Sequence, residues 1–198
     1  FTVQVQTEEV KSAGRKVSSL EEFLHIAKED FHEAYRIFTE RHFSLILSDQ
    51  SEKIRSLYAG MSQQPVTYQH LEEFLIAAGA KEKVTLSLNR EEAGFYDVSE
   101  SVQESLYIHR SGWGHLRADI EVNGDFLEAG KHVVTEEDFI GSTCEINYVI
   151  RQEKLGKGNQ YGEIIVKTPY QKLVYHVLAS RGTESAVNLD LLEKQYRI

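Results

Sequence analysis

The sequence predicts an α+β fold: a small N-terminal helical segment of about three helices, then an antiparallel β-sandwich, then a truncated C-terminal helix. Three observations carry this. Apolar residues from Leu20 to Phe38 recur in steps of three and four, the mark of one buried helical face. Beyond Gly79 the apolar period shortens to two, as on strands with one buried face. Glycine, asparagine and proline turn signals then divide the second half at short intervals, which favours many short strands over a parallel sheet. The boundaries that follow are 1–18 for a strand and linker from a preceding module, 19–80 for a helical connector, 83–180 for the sandwich, and 181–198 for a linker and the start of a following helix.

Phe1-Thr-Val-Gln-Val-Gln6 alternates like a strand whose sheet lies elsewhere. Ser19 and Glu22 have capping-box spacing, so the first helix starts at Leu20. It buries Phe23, Leu24, Ala27, Phe31, Ala34, Tyr35 and Phe38, with a break expected near Asp30. Its stripe is too wide for one short partner helix, so some of Phe31, Tyr35 and Phe38 should touch the β module or a preceding one. Phe43-Ser-Leu-Ile-Leu47 reads as a packed helical turn, and Gln50–Ala59 as a second helix. Thr67 caps a third that carries Leu71, Phe74 and Leu75 and stops at Gly79, where a positive φ is cheap.

Strands are expected at Val84–Leu88, Leu106–His109, Leu116–Val122, Cys144–Ile150, Ile164–Val166 and Leu173–Val177. The turns fall at Ser111-Gly-Trp-Gly114, Asn123-Gly-Asp125, Lys154–Asn159 and Thr168-Pro-Tyr170. A strand, a polar linker and a helix start occur at both ends, at Phe1–Glu22 and again at Lys172–Leu192. This doubled junction and the missing initiator methionine suggest a slice of a longer alternating array.

The Leu106-Tyr-Ile-His-Arg-Ser-Gly-Trp-Gly-His-Leu116 run resembles the strand–Gly-x-Gly–strand hairpin of bacterial immunoglobulin-like β modules. The order of Ser19-Leu-Glu-Glu-Phe-Leu24, Glu73-Phe-Leu75, a β module and a new helix resembles the amino-terminal region of large uncharacterised bacterial multidomain proteins. Such proteins carry immunoglobulin-like β modules followed by helical repeats. The resemblance implies an architecture and no activity. The paired cysteines of antibody domains are absent, since Cys144 is the one cysteine.

Composition narrows the function classes. Thirty-one acidic residues stand against 22 basic ones, for a net charge of −9, with no local basic stripe. Such a surface repels phosphate backbones, so no nucleic-acid partner is expected. No apolar run reaches bilayer length, so no membrane partner is expected either. A single cysteine leans towards a reducing, cytoplasmic compartment.

Trp113, the sole tryptophan, sits between Gly112 and Gly114 with Arg110 and His115 close by in sequence. Exposed, and joined by Tyr107, it would make a binding platform; folded inward, it would close the end of the sandwich core, the commoner fate of large aromatics. His109, His115 and His132 with Asp125 or Glu128 could ligate a metal if they converged, but their spacing reads as solvent-facing strand positions. Glu91-Glu92 and Glu136-Glu-Asp138 are read as surface charge and not as paired catalytic acids. Gly156-Lys-Gly-Asn159 lacks phosphate-loop spacing. Cys144 lies on the apolar side of its strand, as an inert core thiol does. The expectation is a non-enzymatic structural and interaction module with no cofactor, whose partners are a protein or neighbouring domains of the same chain. The alternative is a carbohydrate-binding or glycan-processing accessory module using Trp113 and Tyr107.

Overall fold

The structure is a computed structural model that describes residues 8–182. The strand expected at 1–6 and the helix expected from 188 onward lie outside the described residues. The fold is α+β, and the chain divides into two compact units: residues 8–84 with 112–115, and 85–111 with 116–182.

The first unit opens with strands β1 (Lys11–Ser12) and β2 (Arg15–Lys16), an antiparallel pair where only linker was expected. Ala13 and Gly14 turn it with φ of 49° and 78°, the left-handed pair that suits a two-residue hairpin. Val10 and Val17 flank it in the core. Helices α1 (Leu20–Glu29) and α2 (Phe31–Phe38) follow. The break falls at Asp30, which ends α1 and caps α2 by accepting from the Glu33 backbone N–H at 3.1 Å. Ser19 accepts from Glu22 N as expected, while the Glu22 carboxylate bonds back to Ser18 and not to Ser19. A 3-10 turn spans Phe43–Leu47. Helix α3 (Glu52–Met61) starts later than its periodicity suggested, because Ser51 caps it through Ile54 N. Helix α4 (Tyr68–Ala77) has a full capping box between Thr67 and His70.

Phe23, Phe38, Phe43 and Phe74 form the centre of this unit, all 1% exposed or less. Phe43 meets Phe23 edge-on at 4.8 Å and Phe38 at 5.1 Å, the geometry aromatic quadrupoles favour. Arg36 of α2 secures β1 by donating to Lys11 O at 2.8 Å, and Ser12 donates to Glu33 at 2.9 Å.

The second unit is a pair of sheets. Strands β3 (Thr85–Leu88), β5 (Val102–Ser111), β9 (Thr143–Ile150) and β7 (Leu127–Ala129) make one sheet in that order. Strands β4 (Glu92–Val98), β11 (Lys172–Arg181), β10 (Asn159–Lys167), β6 (Arg117–Asn123) and β8 (Val133–Thr135) make the other. Leu106, Ile108, Ile146, Tyr148 and Ile150 of the first sheet, and Ile120, Ile164, Val166, Tyr175 and Val177 of the second, are buried. The Tyr148 and Tyr175 hydroxyls join across the sheets at 2.8 Å. Burial, the hydroxyl of Tyr175 and its electrostatic field push the Tyr148 phenol well above its ordinary value.

Three expectations need correction. Pairing is mostly antiparallel, but edge strand β4 runs parallel to β11. Strand β4 was not expected at all, because Glu92-Ala-Gly-Phe-Tyr-Asp-Val98 shows no clear alternation. The turn after β5, which resembles a hairpin in sequence, and the turn after β9 each carry the chain from one sheet to the other. Turn residues mark where a chain reverses and say nothing about which strand it pairs with next. Only Thr168-Pro-Tyr170 closes a true hairpin among the turns expected, between β10 and β11. The Gln171 amide beside it bonds both Leu86 N, at 2.7 Å, and Leu86 O, at 3.1 Å, as a neighbouring strand would.

Candidate functional site

Trp113 and His115 belong to the helical unit, while Tyr107 and Arg110 belong to the sandwich. The four nominated residues are therefore two separate sets.

In the helical unit Gly112 and Gly114 take φ of 85° and 110°, which turns the Trp113 indole onto the edge of the helical core. The expectation placed it with the sandwich, and the structure assigns it to the helical unit. The Lys81 ammonium lies 5.2 Å from the indole centroid, within cation–π range. Lys81 is paired with Glu72, and both side chains are 1% exposed. The second Glu72 oxygen accepts from His115 N at 3.2 Å. A β-carbon at Gly114 would lie 2.5 Å from that oxygen and 2.6 Å from Lys81 Nζ, and its φ of 110° favours glycine. The His115 ring stacks on Tyr68 at 5.6 Å and on Phe31 at 6.3 Å. A buried ion pair is worth keeping only when its remaining polar capacity is satisfied, and here a backbone N–H and a tryptophan face supply that.

Glu72 and Lys81 escaped the sequence reading because a carboxylate on a helix and a lysine just past its end read as solvated charge. The Gly-x-Gly frame around Trp113 was the one available signal of a close approach.

In the sandwich, Tyr107 is 38% exposed, with its hydroxyl 3.4 Å from Glu145. Arg110 is half-buried over the Phe139 ring at 5.6 Å; burial pushes its guanidinium below the ordinary value, against the upward pull of Glu136. Two of the carboxylates considered for chemistry, Glu128 and Asp138, are engaged in structure. Glu128 takes two bonds from Arg151, at 3.0 and 2.8 Å, which hold its carboxyl below the usual range. Asp138 accepts from Lys131 at 2.6 Å and from Thr135 N at 2.8 Å. Cys144 is buried, and burial raises its thiol. Among the described residues, no three His, Cys, Asp or Glu side chains gather as a metal site would require.

A second feature was not foreseen. The outer face of the β4–β11–β10–β6 sheet holds a groove of about 660 Å³. Tyr96 and Tyr161 line it and are 65% and 77% exposed. Glu92, His176, Glu163 and Asn123 lie along one cross-strand row beside them.

Comparison with known proteins adds a family and little else. Residues 1–197 match the model described as Family of unknown function (DUF5717) N-terminal, and the chain belongs to that family. No curated protein matches it in sequence. Among solved structures, the chain is similar to a FixG-related protein from Vibrio parahaemolyticus, with 10% identity, 52% of this chain and 99% of that one covered, and a TM-score of 0.36. It is also similar to the VesB protease of Vibrio cholerae, with 8% identity, 48% and 31% covered, and a TM-score of 0.32. Scores this low carry no argument about function.

Proposed function

With membership of that family as the premise, we propose that this chain is a non-catalytic structural and interaction module of a larger bacterial multidomain protein. Its partners are a protein or neighbouring domains of the same chain, and its compartment is the cytoplasm, the location that one unpaired cysteine favours. The carrying observation is the use made of the most function-like segment. Gly112–His115 spends its indole, its imidazole and a backbone N–H on the helical core and on the Glu72–Lys81 pair. A segment so engaged supports cohesion better than it supports recognition of a glycan by Trp113.

The test replaces Trp113 by alanine. The indole is only partly buried, so the loss should sit at or below the low end of the range for core aromatics, about 2–3 kcal/mol. Within the longer protein, assembly should weaken in step with that loss. The non-catalytic reading is overturned if substitution of an exposed histidine or carboxylate abolishes turnover of a small substrate while leaving the melt unchanged.

A further inference from the structure

Tyr96 and Tyr161 are the two aromatic side chains left most open to water among the described residues, and both face the same groove. Their placement follows from strand register. Gly94 pairs with Leu178, and Leu178 with Tyr161, in one row across β4, β11 and β10. The next row runs Glu92, His176, Glu163 and Asn123 across four strands. Gly94 forms the floor: a β-carbon there would meet the Tyr96 hydroxyl at 3.0 Å and its ring at 3.1 Å. The Tyr96 ring therefore lies across the glycine and still presents most of its surface outward.

We propose that this groove binds a non-anionic oligosaccharide. A sugar ring offers an apolar C–H face and a rim of hydroxyls. Two exposed tyrosine rings provide flat apolar surface with a polar edge, and the adjoining row provides carboxylate acceptors, an amide donor and an imidazole. Cross-strand neighbours stand about 5 Å apart, so the polar groups form a ladder along the groove and not a single anchoring point. The groove volume lies within the range of roughly 300–1,000 Å³ usual for small-ligand sites. Charge selects the class. Glu92 and Glu163 disfavour phosphate, uronate or any acidic sugar. Glu163 accepts from Asn123 Nδ2 at 3.3 Å and lies 3.8 Å from His176 Nδ1, so the row offers mixed donors and acceptors and not a bare acidic patch. The site shares no residue with the Trp113 segment, so this inference and the structural reading can fail separately.

The experiment titrates the full 198-residue chain with neutral hexasaccharides of glucose, N-acetylglucosamine and mannose, and with hexagalacturonate and hexalysine, by calorimetry. At least one neutral hexasaccharide should bind, and hexagalacturonate should not. Tyr96→Ala and Tyr161→Ala should each weaken binding at least about tenfold, equivalent to about 1.4 kcal/mol, with melts unchanged because both rings are exposed. Gly94→Val, which displaces the Tyr96 ring, should weaken it as well, and Tyr107→Ala should not. Absence of binding by all three neutral sugars, equal binding by the tyrosine variants, or tighter binding of hexalysine overturns the proposal.

Discussion

Replacing Lys81 by methionine keeps a side chain of similar length and deletes the ammonium that Glu72 faces. The Glu72 side chain is 1% exposed, so water cannot take the place of the lost partner. The bond from His115 N at 3.2 Å stays in place. Removing one member of a buried pair costs about 3–5 kcal/mol, since the other charge is left uncompensated. The cation over the Trp113 face at 5.2 Å is lost as well, which adds roughly 0.5–1 kcal/mol. The double variant Glu72→Met/Lys81→Met buries no charge and loses the bond that Glu72 accepts from His115 N, worth about 0.5–1.5 kcal/mol. The double variant should therefore be more stable than Lys81→Met alone. Urea unfolding followed by the fluorescence of Trp113, the sole tryptophan, reads this out in the unit that holds the pair. If Lys81→Met falls within about 1 kcal/mol of the parent chain, or the double variant is no better than the single, the pair is not the buried, mutually compensating unit described above.

Three further outcomes are expected. Gly114→Ala combines a φ of 110° with a β-carbon 2.5 Å from Glu72 Oε2, and should cost more than about 2 kcal/mol in the same assay; a neutral result would mean the loop relaxes freely. Tyr148→Phe leaves the Tyr175 hydroxyl without its 2.8 Å partner and should lower sandwich stability by about 1 kcal/mol, read by near-ultraviolet dichroism, with an unchanged value counting against that bond. Asp138 has its carboxyl depressed first by Lys131 and then by the Thr135 N–H. A folded-state value below the unfolded one gives stability that is complete above the unfolded value and fades as pH falls through the folded one. Asp138→Asn should therefore flatten the acid limb of unfolding below about pH 4, and coincident acid limbs for the two proteins would contradict this.

Much of the helical unit was legible because its signals are local. Ser19, Asp30 and Thr67 cap helices whose first turns they precede by one residue, and caps act through bonds only two or three residues long. Phe23, Phe38, Phe43 and Phe74 could be placed inside from spacing alone. The two-residue β1–β2 pair could not, since it is too short to show a period. Strand β4 was hidden for a different reason: as an edge strand it buries fully only Val98, so the alternation that betrays a half-buried strand is blurred. The exposed tyrosines of the groove were overlooked as a pair, because Tyr96 and Tyr161 are 65 positions apart and meet only through β11, which separates β4 from β10.

Periodicity, capping and turn chemistry by themselves determined that this chain would be α+β, where helices α1 and α4 begin, and many of the apolar residues that fill each core. They could do so because each is a property of a few adjacent residues in contact with either water or the interior. The partnering was decided by tertiary structure. It sends the segment after β5 across to the second sheet, assigns Gly112–His115 to the helical unit, buries Glu72 against Lys81, and sets Tyr96 and Tyr161 on one sheet face. A charge on a helix has the same local sequence signature whether it meets solvent or an opposite charge. The desolvation that separates the two cases depends on what the rest of the chain brings to it.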